Sequence, residues 1–189
     1  MQKPRKRRVG VDSECLAAAL AYAGRGWRVI PCAARGKAPL TAHGPKDSTV
    51  DQRTIREWWA RWPNANVGAV AGVESDFFVL DVDGPAGEDS LAGLAREHGK
   101  LPSTIESRTG GGGRHLFFKH PGNPVRNSAG KIGKGLDVRG DGGYVIAPPS
   151  IHESGKVYTW AAGHTPDELS VAGPPVWMIN LIQPKKRVQ

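Results

Sequence analysis

The sequence predicts a mixed α/β (α+β) fold in which one sheet face opens on a cleft. Helix-like segments dominate early and strand-like ones dominate from Thr104 onward. Three of the strand-like runs alternate apolar side chains with carboxylates, arginine or imidazole. No internal repeat and no regular strand–helix–strand alternation runs along the chain, which argues against a parallel doubly wound sheet.

In chain order, VDSECLAAALAYAGRG reads as a helix. Asp12 or Ser13 can cap it, Leu16, Leu20 and Ala23 line one side, and Gly24 or Gly26 ends it. Residues 27–32 form a short strand, and residues 34–50 have turn composition, long for a simple connection. Asp51 can cap a second helix, Gln52–Arg61, whose Ile55, Trp58 and Trp59, with Trp62 just beyond, read as core rather than as a base-stacking platform. Residues 64–72 lead into a strand expected to neighbour residues 77–83. A third helix is expected at 88–99, with acidic residues early and Gly99 at its stop. Strands follow at 104–107, 115–119, 135–138, Tyr144–Ala147 and 157–160, and Pro148-Pro149 bars continuation of the fourth of these. Val176–Ile182 predicts a short helix over the core.

The chemistry concentrates in three of these segments. FFVLDVDG, residues 77–84, ends in two aspartates one residue apart. In a strand, Asp81 and Asp83 share a face with Phe77 and Val79, while Phe78, Leu80 and Val82 point the other way. Neighbouring carboxylates raise one another's pKa, and a hard divalent cation relieves the conflict. A solvated strand end followed by an Asp-Gly turn is the plain alternative. TGGGGRHLFFK, residues 109–119, opens with four consecutive glycines. These add no packing but let the backbone approach a ligand and turn N–H groups toward an anion. His115, Phe117 and Lys119 then share a strand face. In GLDVRGDGGYVIAPPS, residues 135–150, Leu136 and Val138 alternate with Asp137 and Arg139. Asp137 and Arg139 read either as site residues or as an ordinary surface pair. Taken together, acidic ligands for divalent metal, a basic and imidazole grip and open backbone amides suit a nucleoside triphosphate. Lys37, between Gly36 and Ala38-Pro39, is a further candidate phosphate contact, or an ordinary exposed loop lysine.

Other classes are excluded or weakened. The chain has 189 residues, enough for one domain or two small lobes on a shared core. No apolar run is long enough for a membrane helix, and no apolar segment follows the basic N-terminus as in a signal peptide. Two cysteines, Cys15 and Cys32, make neither a disulfide framework nor a zinc site, so a reducing cytoplasm is expected. The net charge of +8 resides on the ends, five basic residues in the tail 1–10 and three in the tail 183–189; without them 18 basic residues face 18 acidic ones. Such tails hold a polyanion without sequence preference, or serve solubility alone. The catalytic unit is expected to span 11–182. No P-loop, dinucleotide fingerprint or nucleophile elbow is present; His115 stands where the last glycine of G-x-G-x-x-G belongs.

GWRVIPC…GKAPLTAHG, NANVGAVAG, FFVLDVDG, SRTGGGGRHLFF and GLDVRGDGGYVIAPPS, in this order, resemble the bifunctional primase-polymerase (prim-pol) domain of phage and plasmid replication proteins. That domain belongs to the archaeo-eukaryotic primase superfamily. The resemblance covers about Leu16 to Trp160. It implies an α/β lobe joined to an RRM-like lobe with the active site in the cleft between. It also implies a template-directed nucleotidyltransferase, which makes primers and extends them on single-stranded DNA. By this resemblance Asp81 and Asp83 form the first catalytic motif, His115 the second and Asp137 the third. The three aspartates would bind two divalent cations, Mg²⁺ or Mn²⁺. Gly111, Gly112, Gly113, Arg114, His115 and Arg139, with Lys37, would hold the NTP or dNTP. One departure is plain: the superfamily's second motif is often Ser-x-His, and Gly113 stands at the serine position. Expected partners are a single-stranded template and a helicase domain or subunit absent from this chain, in the host cytoplasm if phage-encoded. A metal-dependent nuclease and a non-catalytic single-strand-binding module are the alternatives.

Overall fold

The computed structural model describes residues 11–183. The tails expected at 1–10 and 183–189 lie outside the described residues, except Gln183, whose side-chain amide donates to the carbonyls of Asn123 and Pro124. Among the described residues no helix is long and apolar enough to cross a membrane.

The chain begins with α1 (Val11–Gly24), β1 (Val29–Cys32) and α2 (Gln52–Arg61). Asp51 caps α2 as expected, its carboxylate accepting the Thr54 N–H at 2.8 Å. Then come β2 (Asn66–Val70), β3 (Phe77–Val82) and α3 (Gly84–His98). Helix α3 starts before the expected position 88 because Pro85 sits in its first turn, where proline's fixed φ suits a helix start. The strand-rich part follows as β4 (Glu106–Arg108), β5 (Arg114–Lys119), β6 (Ser128–Ala129), β7 (Leu136–Arg139), β8 (Tyr144–Ala147) and β9 (Thr159–Trp160). Helix α4 (Val176–Ile182) closes the described chain.

Two sheets form, a three-stranded one in the order β1-β2-β8 and a six-stranded one in the order β6-β7-β3-β5-β4-β9. Every strand pair in them is antiparallel. The expectation that the 64–72 strand neighbours β3 is corrected: β2 pairs with β1 and β8. The connection turns sharply through Gly72 (φ 134) and Asp76 (φ 54), leaving a single bridge from Gly72 to Phe77 before β3 enters the other sheet.

Both faces of the larger sheet carry apolar packing, and the cleft expected on one face takes up only its polar end. Phe78, Leu80, Val82, Leu116, Phe118, Leu136 and Val138 pack with Leu91 of α3 and Met178 of α4. The opposite face buries Phe77, Val79 and Phe117 against Trp27, the α1 residues Ala19 and Tyr22, and the α2 residues Ile55 and Trp59. Trp27 stacks on Phe117 with centroids 5.3 Å apart and planes within 7°. Burying a side chain of that size contributes roughly 1.5–3 kcal/mol. Trp59 is buried and Trp58 and Trp62 pack against the same core, as expected for core aromatics. The polar residues occupy only one end of this second face, beyond Val79 and Phe117.

Candidate active site

Cross-strand register builds the site. Asp81 on β3 lies opposite His115 on β5 and opposite Asp137 on β7. Directly paired antiparallel residues project from the same sheet face, so the three side chains rise together. Val82 is the last residue of β3, and Asp83 serves as N-cap of α3. Its N–H donates to the Gly135 carbonyl at 2.8 Å, which ties the β3–α3 corner to the start of β7. One carboxylate oxygen from each of Asp81, Asp83 and Asp137 lies within 4.8 Å of the others. The residues singled out in sequence as metal ligands thus converge.

The electrostatics match that geometry. Burial raises the Asp81 pKa; Arg139 opposes the rise and Asp137 adds to it. Asp83 is raised by burial first and then by the charges of Asp81 and Asp137. Arg139 Nη2 contacts Asp137 Oδ2 at 2.9 Å and Asp81 Oδ2 at 3.2 Å. Asp137 Oδ1 accepts the Gly130 N–H at 3.0 Å, fixing its carboxylate. A cationic nitrogen between two carboxylates marks a place where positive charge is favoured. An all-oxygen donor set suits a hard divalent cation, so these residues fit one.

His115 is buried, and burial with the Lys37 charge pushes its pKa down to about 3, against the opposing pull of Asp83. The imidazole is therefore neutral at pH 7. Its Nε2 lies 3.5 Å from Asp81 Oδ1 and its Nδ1 lies 3.2 Å from Ser107 Oγ. A carboxylate only accepts, so the Asp81 contact suits a proton on Nε2, and in that tautomer the Ser107 hydroxyl donates to Nδ1. Ser107 is fully buried and lies opposite His115 in the β4–β5 register. The hydroxyl missing at Gly113 is thus present beside the histidine, supplied by the neighbouring strand. Gly113 itself has a steric reason: a Cβ there would stand 2.5 Å from the Val82 carbonyl oxygen.

The glycine turn is more closed than expected. Thr109 takes two of its N–H groups: Gly113 donates to Thr109 Oγ1 at 2.9 Å and Gly112 to the Thr109 carbonyl at 3.1 Å. Gly111 and Gly113 line a cavity of about 640 Å³ together with Lys37, Asp81, Asp83, His115 and Arg139. Gly112 is not among the residues that line it. Arg114 points away from this cavity. Successive strand residues face opposite ways, so Arg114 leaves His115 on the other side of the sheet. There it pairs with Glu88 of α3 at 2.6 Å and Glu106 of β4 at 3.0 Å. Lys37 is exposed on the cavity rim, near enough for its charge to act on Asp81, Asp83 and His115.

Other cavity residues escaped the sequence reading. Tyr158 stacks against His115 with centroids 6.3 Å apart, and Tyr144, Asn127 and His152 complete the wall. Asp141 is a latch: its carboxylate accepts from Val125 N at 2.9 Å and Val73 N at 3.3 Å and sits 3.1 Å from His120 Nε2.

No curated protein matches the sequence significantly. The family model described as "Bifunctional DNA primase/polymerase, N-terminal" matches residues 19–177. That span includes both sheets and every carboxylate of the cluster, and the chain belongs to the Prim-Pol family.

Proposed function

We propose that this protein is a template-directed nucleotidyltransferase that synthesises primers and extends them on single-stranded DNA, using an NTP or dNTP. The convergence of Asp81, Asp83 and Asp137 beside a neutral His115 is the single observation that carries the reading. In the same reading the two sheets correspond to an α/β lobe and an RRM-like lobe flanking the cleft. The cellular setting is phage or plasmid replication in a cytoplasm, with a helicase domain or subunit as partner.

Asp81, Asp83 and Asp137 would hold two divalent cations, Mg²⁺ or Mn²⁺. Held by these carboxylates, such cations would supply a lowered pKa for the attacking 3′-hydroxyl and charge to stabilise the pyrophosphate leaving group. His115 donates its Nε2–H to a phosphate oxygen, with its Nδ1 braced against the Ser107 hydroxyl. Because the ring is neutral, it orients the triphosphate without adding charge that repels a cation. Arg139 exchanges its carboxylate contacts for phosphate oxygens when nucleotide enters. Lys37 supports the phosphates from the rim, and Gly111 and Gly113 let the backbone lie beside them. Tyr144 and Tyr158 supply flat apolar surface for base or sugar.

The test is incubation of a single-stranded DNA template with nucleotides and Mg²⁺ or Mn²⁺, with and without a primer, for the wild type and Asp137→Asn. Primer extension by the wild type, reduced at least ~10³-fold in the variant, is expected. New strands without a primer establish initiation. Template degradation instead would make the protein a nuclease, and bare retention of the strand would make it a binding module.

A further inference from the structure

The loop between β8 and β9 carries an imidazole that reaches the catalytic cavity. His152 lines it beside Lys37, Thr109, Gly111 and Tyr158, and also lines a side chamber of about 370 Å³ with Arg35, Gly36 and Glu153. The loop is a closed turn: His152 N–H donates to the Lys156 carbonyl at 2.8 Å and Gly155 N–H to the His152 carbonyl at 2.8 Å. The turn clamps the glycine loop, with the Ser154 hydroxyl donating to the Gly110 carbonyl at 3.2 Å. His152 rests so closely on that loop that a Cβ at Gly110 would stand 2.2 Å from the His152 Cβ. The need for glycine at this position thus comes from the histidine above it.

Nδ1 of His152 is held by its own loop, which leaves Nε2 as the ring nitrogen toward the glycine turn. The Ser154 backbone N–H donates to its Nδ1 at 3.1 Å, which suits a lone pair on Nδ1 and the proton on Nε2, and the Ser154 hydroxyl lies 2.9 Å from the same Nδ1. Nε2 lies 3.5 Å from the position a Gly111 Cβ would take, on the cavity side of the glycine turn. Among the described residues no acceptor takes that Nε2–H or the Gly111 N–H. Tyr158 separates the two imidazoles, 6.3 Å from His115 and 5.9 Å from His152, centroid to centroid. The cavity wall therefore runs from the carboxylates past His115 and Tyr158 to His152. Glu153, the carboxylate on this rim, is exposed and has Arg35 and Lys37 across the side chamber.

We infer that His152 is a nucleotide-binding residue: its Nε2–H, the Gly111 N–H and Lys37 hold the terminal phosphate of a nucleoside triphosphate. The inference rests on the nucleotidyltransferase reading and orients the substrate within it. The reacting phosphate lies at the carboxylates, and the far end of the chain of phosphates lies under the β8–β9 loop. His152 thereby serves to distinguish a triphosphate from a diphosphate.

The experiment measures binding of ATP, ADP and AMP, and of their deoxy forms, by calorimetry with Mg²⁺ and without template. Variants are His152→Phe, which keeps a ring against Gly110 and Tyr158 but has no donor, and His152→Gln, which keeps a donor. The phenylalanine is expected to weaken triphosphate binding about 10-fold, the loss of one hydrogen bond, and diphosphate binding less than about twofold. Glutamine retains triphosphate affinity within about threefold. Unchanged triphosphate affinity in His152→Phe, or equal losses for tri- and diphosphate, overturns the assignment. His152→Ala gives the same comparison if the phenylalanine variant does not fold. Failure of the wild type to bind any of these nucleotides sinks the nucleotidyltransferase reading itself, and this inference with it.

Discussion

Arg139 Nη2 sits 3.2 Å from Asp81 Oδ2 and also 2.9 Å from Asp137 Oδ2, so one guanidinium bridges two carboxylates that face each other across β3 and β7. Without that charge, burial and mutual repulsion would favour protonating one of them. A divalent cation reaching the same oxygens competes with the guanidinium for them. Arg139→Gln is therefore expected to tighten Mn²⁺ binding in the absence of nucleotide by about 10-fold, the worth of one charge-assisted contact. The same variant should raise the KM for nucleotide. Titration followed by Mn²⁺ paramagnetic resonance checks the first effect. Weaker Mn²⁺ binding in the variant would mean that Arg139 supports the metal rather than competing with it.

The buried histidine makes folding stability depend on pH. His115 has a folded-state pKa of about 3 against 6.5 for the exposed group. The unfolded chain thus binds the extra proton first, and stability is lost as pH falls from 6.5 toward about 3. Asp81 and Asp83 act in the opposite sense. Their raised pKa values make the native state bind protons more readily, which adds stability as pH falls toward the ordinary carboxylate range. Taken alone, the histidine contributes a loss of about 2 kcal/mol at pH 5 relative to pH 7. Urea unfolding at both values, with divalent cations chelated, should show a smaller pH 5 penalty for His115→Gln than for the wild type. Equal penalties would mean that His115 is not held neutral by burial.

How much of this site the sequence discloses depends on what sets each position. Strand alternation puts Asp81, His115 and Asp137 each at the polar parity of its own strand, and the pairing of β3 with β5 and β7 then sets them opposite one another. The same rule assigns Arg114 to the opposite face from His115; reading the pair as one grip overlooked it. Ser107 is different. Its place beside His115 depends on β4 pairing with β5 in one particular register, which no local pattern encodes. His152 and Tyr158 reach the cavity only because the chain after β8 folds back over the glycine turn. The sheet partner of β2 likewise rests on the turn at 71–76, whose composition signals a turn but not its direction.

Ser107 is expected to act through His115. Ser107→Ala removes the hydroxyl partner of Nδ1, so that the ring's orientation and tautomer rest on the longer Asp81 contact alone. The cost should appear as a KM for nucleotide about 5–10-fold higher, the scale of one buried hydrogen bond. Nitrogen-15 chemical shifts of the imidazole separate this from a packing effect: the Nε2–H tautomer should dominate in the wild type and lose population in the alanine variant. Ser107→Thr, which keeps the hydroxyl, should restore part of both signals. An unchanged tautomer balance in Ser107→Ala would dismiss the positioning role whatever the activity.

Arg114 belongs to the architecture rather than to the nucleotide grip. Its guanidinium joins Glu88 of α3 to Glu106 of β4, and the Glu106 side chain is only 9% exposed. The Glu88 hydrogen bond raises the Arg114 pKa further, and the Glu106 charge adds to it. Arg114→Met would keep the apolar stem but leave the Glu106 carboxylate with the exposed Arg108 as its remaining cation, at 3.0 Å. Breaking a largely buried pair from one side costs about 3–5 kcal/mol, reduced to roughly 2–3 here because Glu88 is half exposed and Arg108 stays. The KM for nucleotide should stay within about twofold of wild type, since no substrate contact is lost. Thermal unfolding and steady-state incorporation on the same preparations decide the matter. A KM raised ~10-fold with unaltered melting would return Arg114 to the phosphate site and overturn the face assignment made from β5.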